Sequence, residues 1–184
     1  MDNKKDLISE IVEMEWAMFT SVRNRGGRAS CQENPDTFKI IRTNTFMTWS
    51  EATLESYCGD LIRAKETGRN LMTEKYARME GRFPPLDPEL VEIIDKIVKQ
   101  ECAWAEELMV KYPDVKMARP IYSSQDTPYV VSSETYSRGE LATYSKKTLE
   151  LYLQDILEMK TKDINRIELA MALMSREFSE KSQA

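Results

Sequence analysis

Between residues 5 and 23 the apolar side chains Ile8, Ile11, Val12, Met18, Phe19 and Val22 recur at helical spacing and fall on one face of a helical wheel. That run stops at Asn24-Arg25-Gly26-Gly27, a helix-ending sequence. A second periodic run begins near Phe46 and passes through Trp49, Leu54, Tyr57, Leu61 and Ala64 to Met79, with Gly68 marking a kink or break before Asn70-Leu71. Gly81-Arg82-Phe83-Pro84-Pro85 ends it, and Asp87 with Pro88 opens a third helix reaching Lys111. The fourth spans about 138 to 178, in one or two pieces, before a polar tail at 179–184 that is expected to fray. Residues 25–45 and 112–136 read as loops, and Tyr129-Val130-Val131 has strand character without a sheet to join. The pattern predicts an all-α helical bundle forming a single domain over 1–184.

Two carboxylates break the apolar stripes. Glu15 lies near the middle of the first face, and Glu101 does the same among Ile94, Ile97, Val98, Ala105 and Leu108. A carboxylate inside an apolar stripe must be paired, protonated or bound to something.

The second and fourth helices also resemble each other. At a shift of 95 residues, Ser50/Ser145, Thr53/Thr148, Leu54/Leu149, Glu55/Glu150, Tyr57/Tyr152, Asp60/Asp155, Lys65/Lys160, Asn70/Asn165, Ala77/Ala172 and Met79/Met174 are identical. Ten identities between 49–79 and 144–174 exceed the roughly two that average composition gives. The first and third helices align at a shift of 86, which places Glu15 over Glu101. One reading is an internal duplication into two helix–loop–helix halves, about 5–80 and 88–178, around a pseudo-twofold axis. The other is two amphipathic helix pairs that share periodicity by coincidence. Under duplication, Glu15, Glu101, Asp60 and Asp155 approach one another beside Trp16, Trp104, Tyr57 and Tyr152.

Composition narrows the chemistry. The 184 residues include no histidine, which removes serine–histidine and cysteine–histidine catalysis, the usual zinc sites and the Glu-x-x-His ligands of di-iron bundles. A net charge of −5 argues against general binding to nucleic acid or to a membrane surface. No apolar run of membrane-spanning length is present, and the opening Met-Asp-Asn-Lys-Lys-Asp is unlike a signal peptide. Three cysteines, Cys31, Cys58 and Cys102, share no motif spacing, so a reducing cytoplasm is the expected location.

Three constellations remain. The carboxylates Glu15, Glu101, Asp60 and Asp155 suit a hard cation such as Mg²⁺ or Mn²⁺ through oxygen ligands alone, an organic cation held with the nearby aromatics, or partners in the core. Arg25 and Arg28 beside Gly26-Gly27, with Lys39 and Arg42 following, suit an anion, although cations at a helix C-terminus explain them equally. Finally, Arg69-Asn70-Leu71-x-x-Glu74-Lys75-Tyr76 is crowded with polar groups, and Glu74 or Tyr76 would be the acid/base candidates if a reaction occurs. Cys31 reads as a bystander thiol.

Several blocks together are similar to a known family: Gly27-Arg28-Ala29-Ser30-Cys31-Gln32, Thr37-Phe38-x-x-x-Arg42, Phe46-x-x-Trp49, Ser56-Tyr57-x-x-Asp60-Leu61, Gly68-Arg69-Asn70-Leu71-x-x-Glu74-Lys75-Tyr76-Ala77-Arg78-Met79 and Arg138-Gly139-Glu140-Leu141-x-Thr143-Tyr144-Ser145. They resemble the bacterial family catalogued as domain of unknown function 4125. That family has no established activity, so the resemblance supplies no catalytic residues and no cofactor. Some relatives are fused to a nucleotidyltransferase-like domain, which implies a partner of that kind. The leading expectation is a binder of a small polar or cationic molecule at Glu15, Trp16, Tyr57, Asp60, Glu101, Trp104, Tyr152 and Asp155. An interaction module for a nucleotidyltransferase-like partner and an oxygen-ligated Mg²⁺ or Mn²⁺ hydrolase are the alternatives.

Overall fold

A computed structural model describes residues 3–23, 27 and 29–182. Among them the chain is all-helical, with eight α-helices, two short 3₁₀ turns and no strand. The helices are α1 (Asn3–Thr20), α2 (Pro35–Phe46), α3 (Glu51–Glu66), α4 (Leu71–Met79), α5 (Pro88–Lys111), α6 (Ser133–Leu141), α7 (Lys146–Thr161) and α8 (Arg166–Ser182). They form two compact units. Unit 1 comprises 1–73 with 169–184, and unit 2 comprises 74–168.

In unit 1, α1 packs on α2 and α3. Its face Ile8, Ile11, Val12, Met18 and Phe19 is buried, as are Ile40 and Phe46 of α2 and Leu54, Tyr57, Leu61 and Ala64 of α3. Each fully buried aliphatic or aromatic side chain of this kind contributes about 1.5–3 kcal/mol. Gln32, itself buried, donates to the carbonyls of Phe19 (2.7 Å) and Val22 (3.0 Å) and so satisfies the end of α1. The last helix returns to this unit, where Asn44 donates to Glu177 at 2.7 Å.

In unit 2, α5 packs on α6 and α7. Ile94, Ile97, Val98, Ala105 and Leu108 are buried, with Leu141, Leu149, Tyr152 and Ile156. Asp87 caps α5 by accepting from the Glu89 amide at 2.9 Å, with Pro88 at the first position, as the sequence predicts.

Both stretches read as loops contain helix. Asn34 accepts from the Thr37 amide (3.2 Å) and caps α2, with Pro35 at its first position. Ser132 caps α6 through the Thr135 amide (3.1 Å). The helix expected over 46–79 is α3 and α4, parted by Gly68 at φ 68°. The one expected over 138–178 is divided twice. Ser145 caps α7, and Asp163 at φ 55° ends it before Asn165 caps α8 through the Ile167 and Glu168 amides. The tail expected to fray is helical through Ser182.

Several local bonds recur at the shifts found in the sequence. Ser50 and Ser145 cap α3 and α7 in the same way. Gly68 and Asp163 share the left-handed conformation. Asn70 donates to the Met18 carbonyl and Asn165 to the Trp104 carbonyl, both at 2.8 Å.

Candidate functional site

Each of the two inward glutamates is bonded by side chains of its own unit. Glu15 on α1 is fully buried. Arg42, one turn from the end of α2, donates Nε to Glu15 Oε2 at 2.6 Å and Nη2 to Oε1 at 2.5 Å. Tyr57 of α3 adds its hydroxyl to Oε1 at 2.7 Å. A bidentate arginine and a phenol thus occupy both oxygens, which accounts for a carboxylate in an apolar stripe. This centre is an internal ion pair, and Arg42, expected to contact an anion, meets the anion of its own core.

Glu101 on α5 is arranged differently. Oε1 accepts from Tyr152 of α7 and from Arg166 Nη2 at the start of α8, each at 2.6 Å. Oε2 accepts from the Ser137 hydroxyl of α6, also at 2.6 Å. Among the described residues, the only donor to Oε2 is therefore neutral. Arg166 reaches one oxygen instead of two, and its buried Nε–H has no acceptor among the described residues. Beside this cluster lies a cavity of about 290 Å³ lined by Glu101, Ser137 and Arg166, with Cys102, Glu134, Arg119, Tyr136 and the apolar Val98, Ala105, Met117, Ile121 and Ile167.

Three ionisable groups at this cluster or along the cavity have displaced proton affinities, each for a physical reason. A hydrogen bond from the Ser123 amide, working against partial burial and aided by Arg138, keeps the Glu134 carboxyl below the usual range. Burial, then Glu134 and Glu101, push the Cys102 thiol up to about 11, so it is no thiolate nucleophile at neutral pH. Burial and then the Glu101 carboxylate, against the opposing charge of Arg166, hold the Tyr152 hydroxyl well above its ordinary value. Tyr152 remains a donor.

These two raised groups fix a pH dependence. In the folded chain they keep their protons to higher pH than in the unfolded chain, so their contribution is complete below the unfolded values of 9.0 and 10.0. It is lost as pH rises beyond them. Urea midpoints are expected to hold from pH 7 to about 8.5 and to fall progressively toward pH 11, with a shallower fall in Cys102→Ala. A wild-type midpoint constant up to pH 11 would contradict this.

The other sequence candidates fall elsewhere. Trp16 is half-buried in unit 1, 5.1 Å from Phe38 ring to ring, and Asp60 pairs with Arg63 on its own helix. Trp104 lines a different cavity of about 410 Å³ with Glu107, Lys160 and Asp163. Asp155 is half-buried on α7. Arg25 and Arg28 lie outside the described residues. Among the described residues no three His, Cys, Asp or Glu side chains gather closely enough to hold a metal ion, so the hydrolase reading gains no ligand set. Lys75, next to the acid/base candidates Glu74 and Tyr76, is buried and ion-paired with Glu140.

Sequence reasoning missed Ser137, Arg166 and Arg119. Ser137 lies just before the Arg138-Gly139-Glu140 block and Arg166 just after Asn165, so neither shows in a search for identical positions. Among the described residues no helix is long and apolar enough to cross a membrane. No curated protein and no solved structure matches the chain. A family model described as "Protein of unknown function (DUF4125)" matches residues 5–182, nearly the whole length, and the chain belongs to that family.

Proposed function

We propose that this protein binds a small amine-bearing polar molecule in the unit 2 cavity, with the ligand's cation on Glu101. One contrast carries the reading. Glu15 has both oxygens engaged by a charged bidentate donor, whereas Glu101 Oε2 has, among the described residues, only a serine hydroxyl, and Glu101 lines a cavity of about 290 Å³. A partly buried carboxylate that lines open space and meets a neutral donor on one oxygen is a receptor for a further N–H group. The volume lies at the small end of ligand pockets, which suits a metabolite and not a nucleotide. Three unbridged cysteines, Cys31, Cys58 and Cys102, fit a reducing cytoplasm.

Thermal-shift measurements with a panel of small amines and amino acids test the proposal. At about 100 times its Kd, a bound compound is expected to raise the melting temperature by roughly 5–10 °C. The same compound should leave Glu101→Gln unmoved and shift Ser137→Ala less than the wild type. Melting curves of the wild type that stay flat across the panel would refute the reading.

A further inference from the structure

At the shift of 95 that relates Asn70 to Asn165, Arg42 corresponds to Ser137 (137 − 42 = 95) and Leu71 to Arg166 (166 − 71 = 95). In unit 1 the arginine comes from α2 and spans both oxygens of Glu15. In unit 2 the cation comes instead from the start of α8 and reaches only Oε1 of Glu101, while α6 supplies a hydroxymethyl group. Where unit 1 holds an arginine side chain, unit 2 has a cavity.

We infer that this cavity takes an α-amino acid with an aliphatic side chain, its ammonium on Glu101 and its carboxylate on the guanidinium of Arg119. The inference rests on the amine-binding reading above and adds the second charged end. Arg119 on the same wall touches the Val131 carbonyl at 3.3 Å and the Tyr136 ring at 4.4 Å, and no carboxylate among the described residues pairs with it. The wall therefore offers guanidinium donors as well as a carboxylate oxygen, and guanidinium suits a ligand carboxylate. An α-amino acid carries its two charges on one carbon, and Glu101 and Arg119 line one cavity of about 290 Å³. Val98, Ala105 and Ile121 supply the apolar wall for its side chain.

Isothermal titration of the full chain with L-leucine, isoamylamine (the same skeleton without the carboxylate) and isocaproate (without the amine) tests this. L-Leucine is expected to bind at least about tenfold tighter than either analogue. Ser137→Arg, which sends a guanidinium to Glu101 as Arg42 does to Glu15, is expected to lose leucine binding. The exposed Arg119→Met, which leaves the core intact, is expected to weaken leucine several-fold and to leave isoamylamine unchanged. Equal binding of leucine and isoamylamine would overturn the carboxylate subsite while the amine reading stands. Tight isocaproate without the other two would overturn both. Binding of other amines without leucine, or unchanged leucine binding in a folded Ser137→Arg, would overturn the amino-acid assignment.

Discussion

Arg42→Leu is expected to destabilise the protein by about 3–5 kcal/mol, the cost of leaving a buried carboxylate without its cation. Glu15 has no exposed surface, and the Arg42 side chain is only 13% exposed, so water cannot replace the lost donors. Two of the three hydrogen bonds to Glu15 disappear at once, and the Tyr57 hydroxyl alone remains. The reverse change, Glu15→Leu, takes the carboxylate from a largely buried guanidinium and is expected to cost a similar amount. Together the two substitutions should cost much less than their sum, because no charge is then left uncompensated. The remaining penalty includes the hydrogen bond that Tyr57 donates to Glu15, about 1 kcal/mol. Urea denaturation of the four variants measures the cycle. Additive losses would show that Glu15 and Arg42 are stabilised independently, against the ion pair described here.

That pair also shows what the sequence disclosed and what it concealed. Glu15 announced that it needed something, because its apolar neighbours fix the face on which it lies. Its partner lies 27 positions away, in a stretch that reads as a loop. Asn34-Pro35-Asp36 was the obstacle. The same chemistry, a capping side chain followed by proline, marks the start of α5 at Asp87-Pro88, where a long periodic run follows and makes it unmistakable. α2 has only 12 residues and α6 only nine, too few turns for periodicity to outweigh the turn-forming residues around them. The Glu101 cluster was half legible for another reason. Identical residues at the shift of 95 identified Tyr152, but the residues that distinguish the two centres are the ones that differ. Position 42 is arginine where 137 is serine, and 71 is leucine where 166 is arginine, so only the structure shows that Arg42 meets Glu15 and Arg166 meets Glu101.

Lys75→Met carries the second large effect, about 3 kcal/mol, at the lower end of the range for breaking a buried pair. Lys75 is only 2% exposed, which an ammonium tolerates only when its charge is met. It donates to Glu140 of α6, and its Nζ lies 3.5 Å from the centroid of the Tyr136 ring. Gly139, next to Glu140, permits that approach: a Cβ there would meet Met79 Cγ at 2.6 Å and the Lys75 carbonyl at 3.2 Å. Methionine preserves the stem that packs against this helix and removes only the charge, so the loss reports electrostatics and not a cavity. Glu140 keeps the Tyr144 hydroxyl at 2.9 Å and a side chain 14% exposed, which is why the expected cost stays near the lower bound. Lys75→Met with Glu140→Gln should recover about half of it, since a neutral amide replaces a carboxylate that has lost its ammonium. The comparison is read from urea midpoints at pH 7. If Lys75→Met unfolds at the wild-type midpoint, the ammonium contributes nothing beyond its stem, and Glu140 must be satisfied without it.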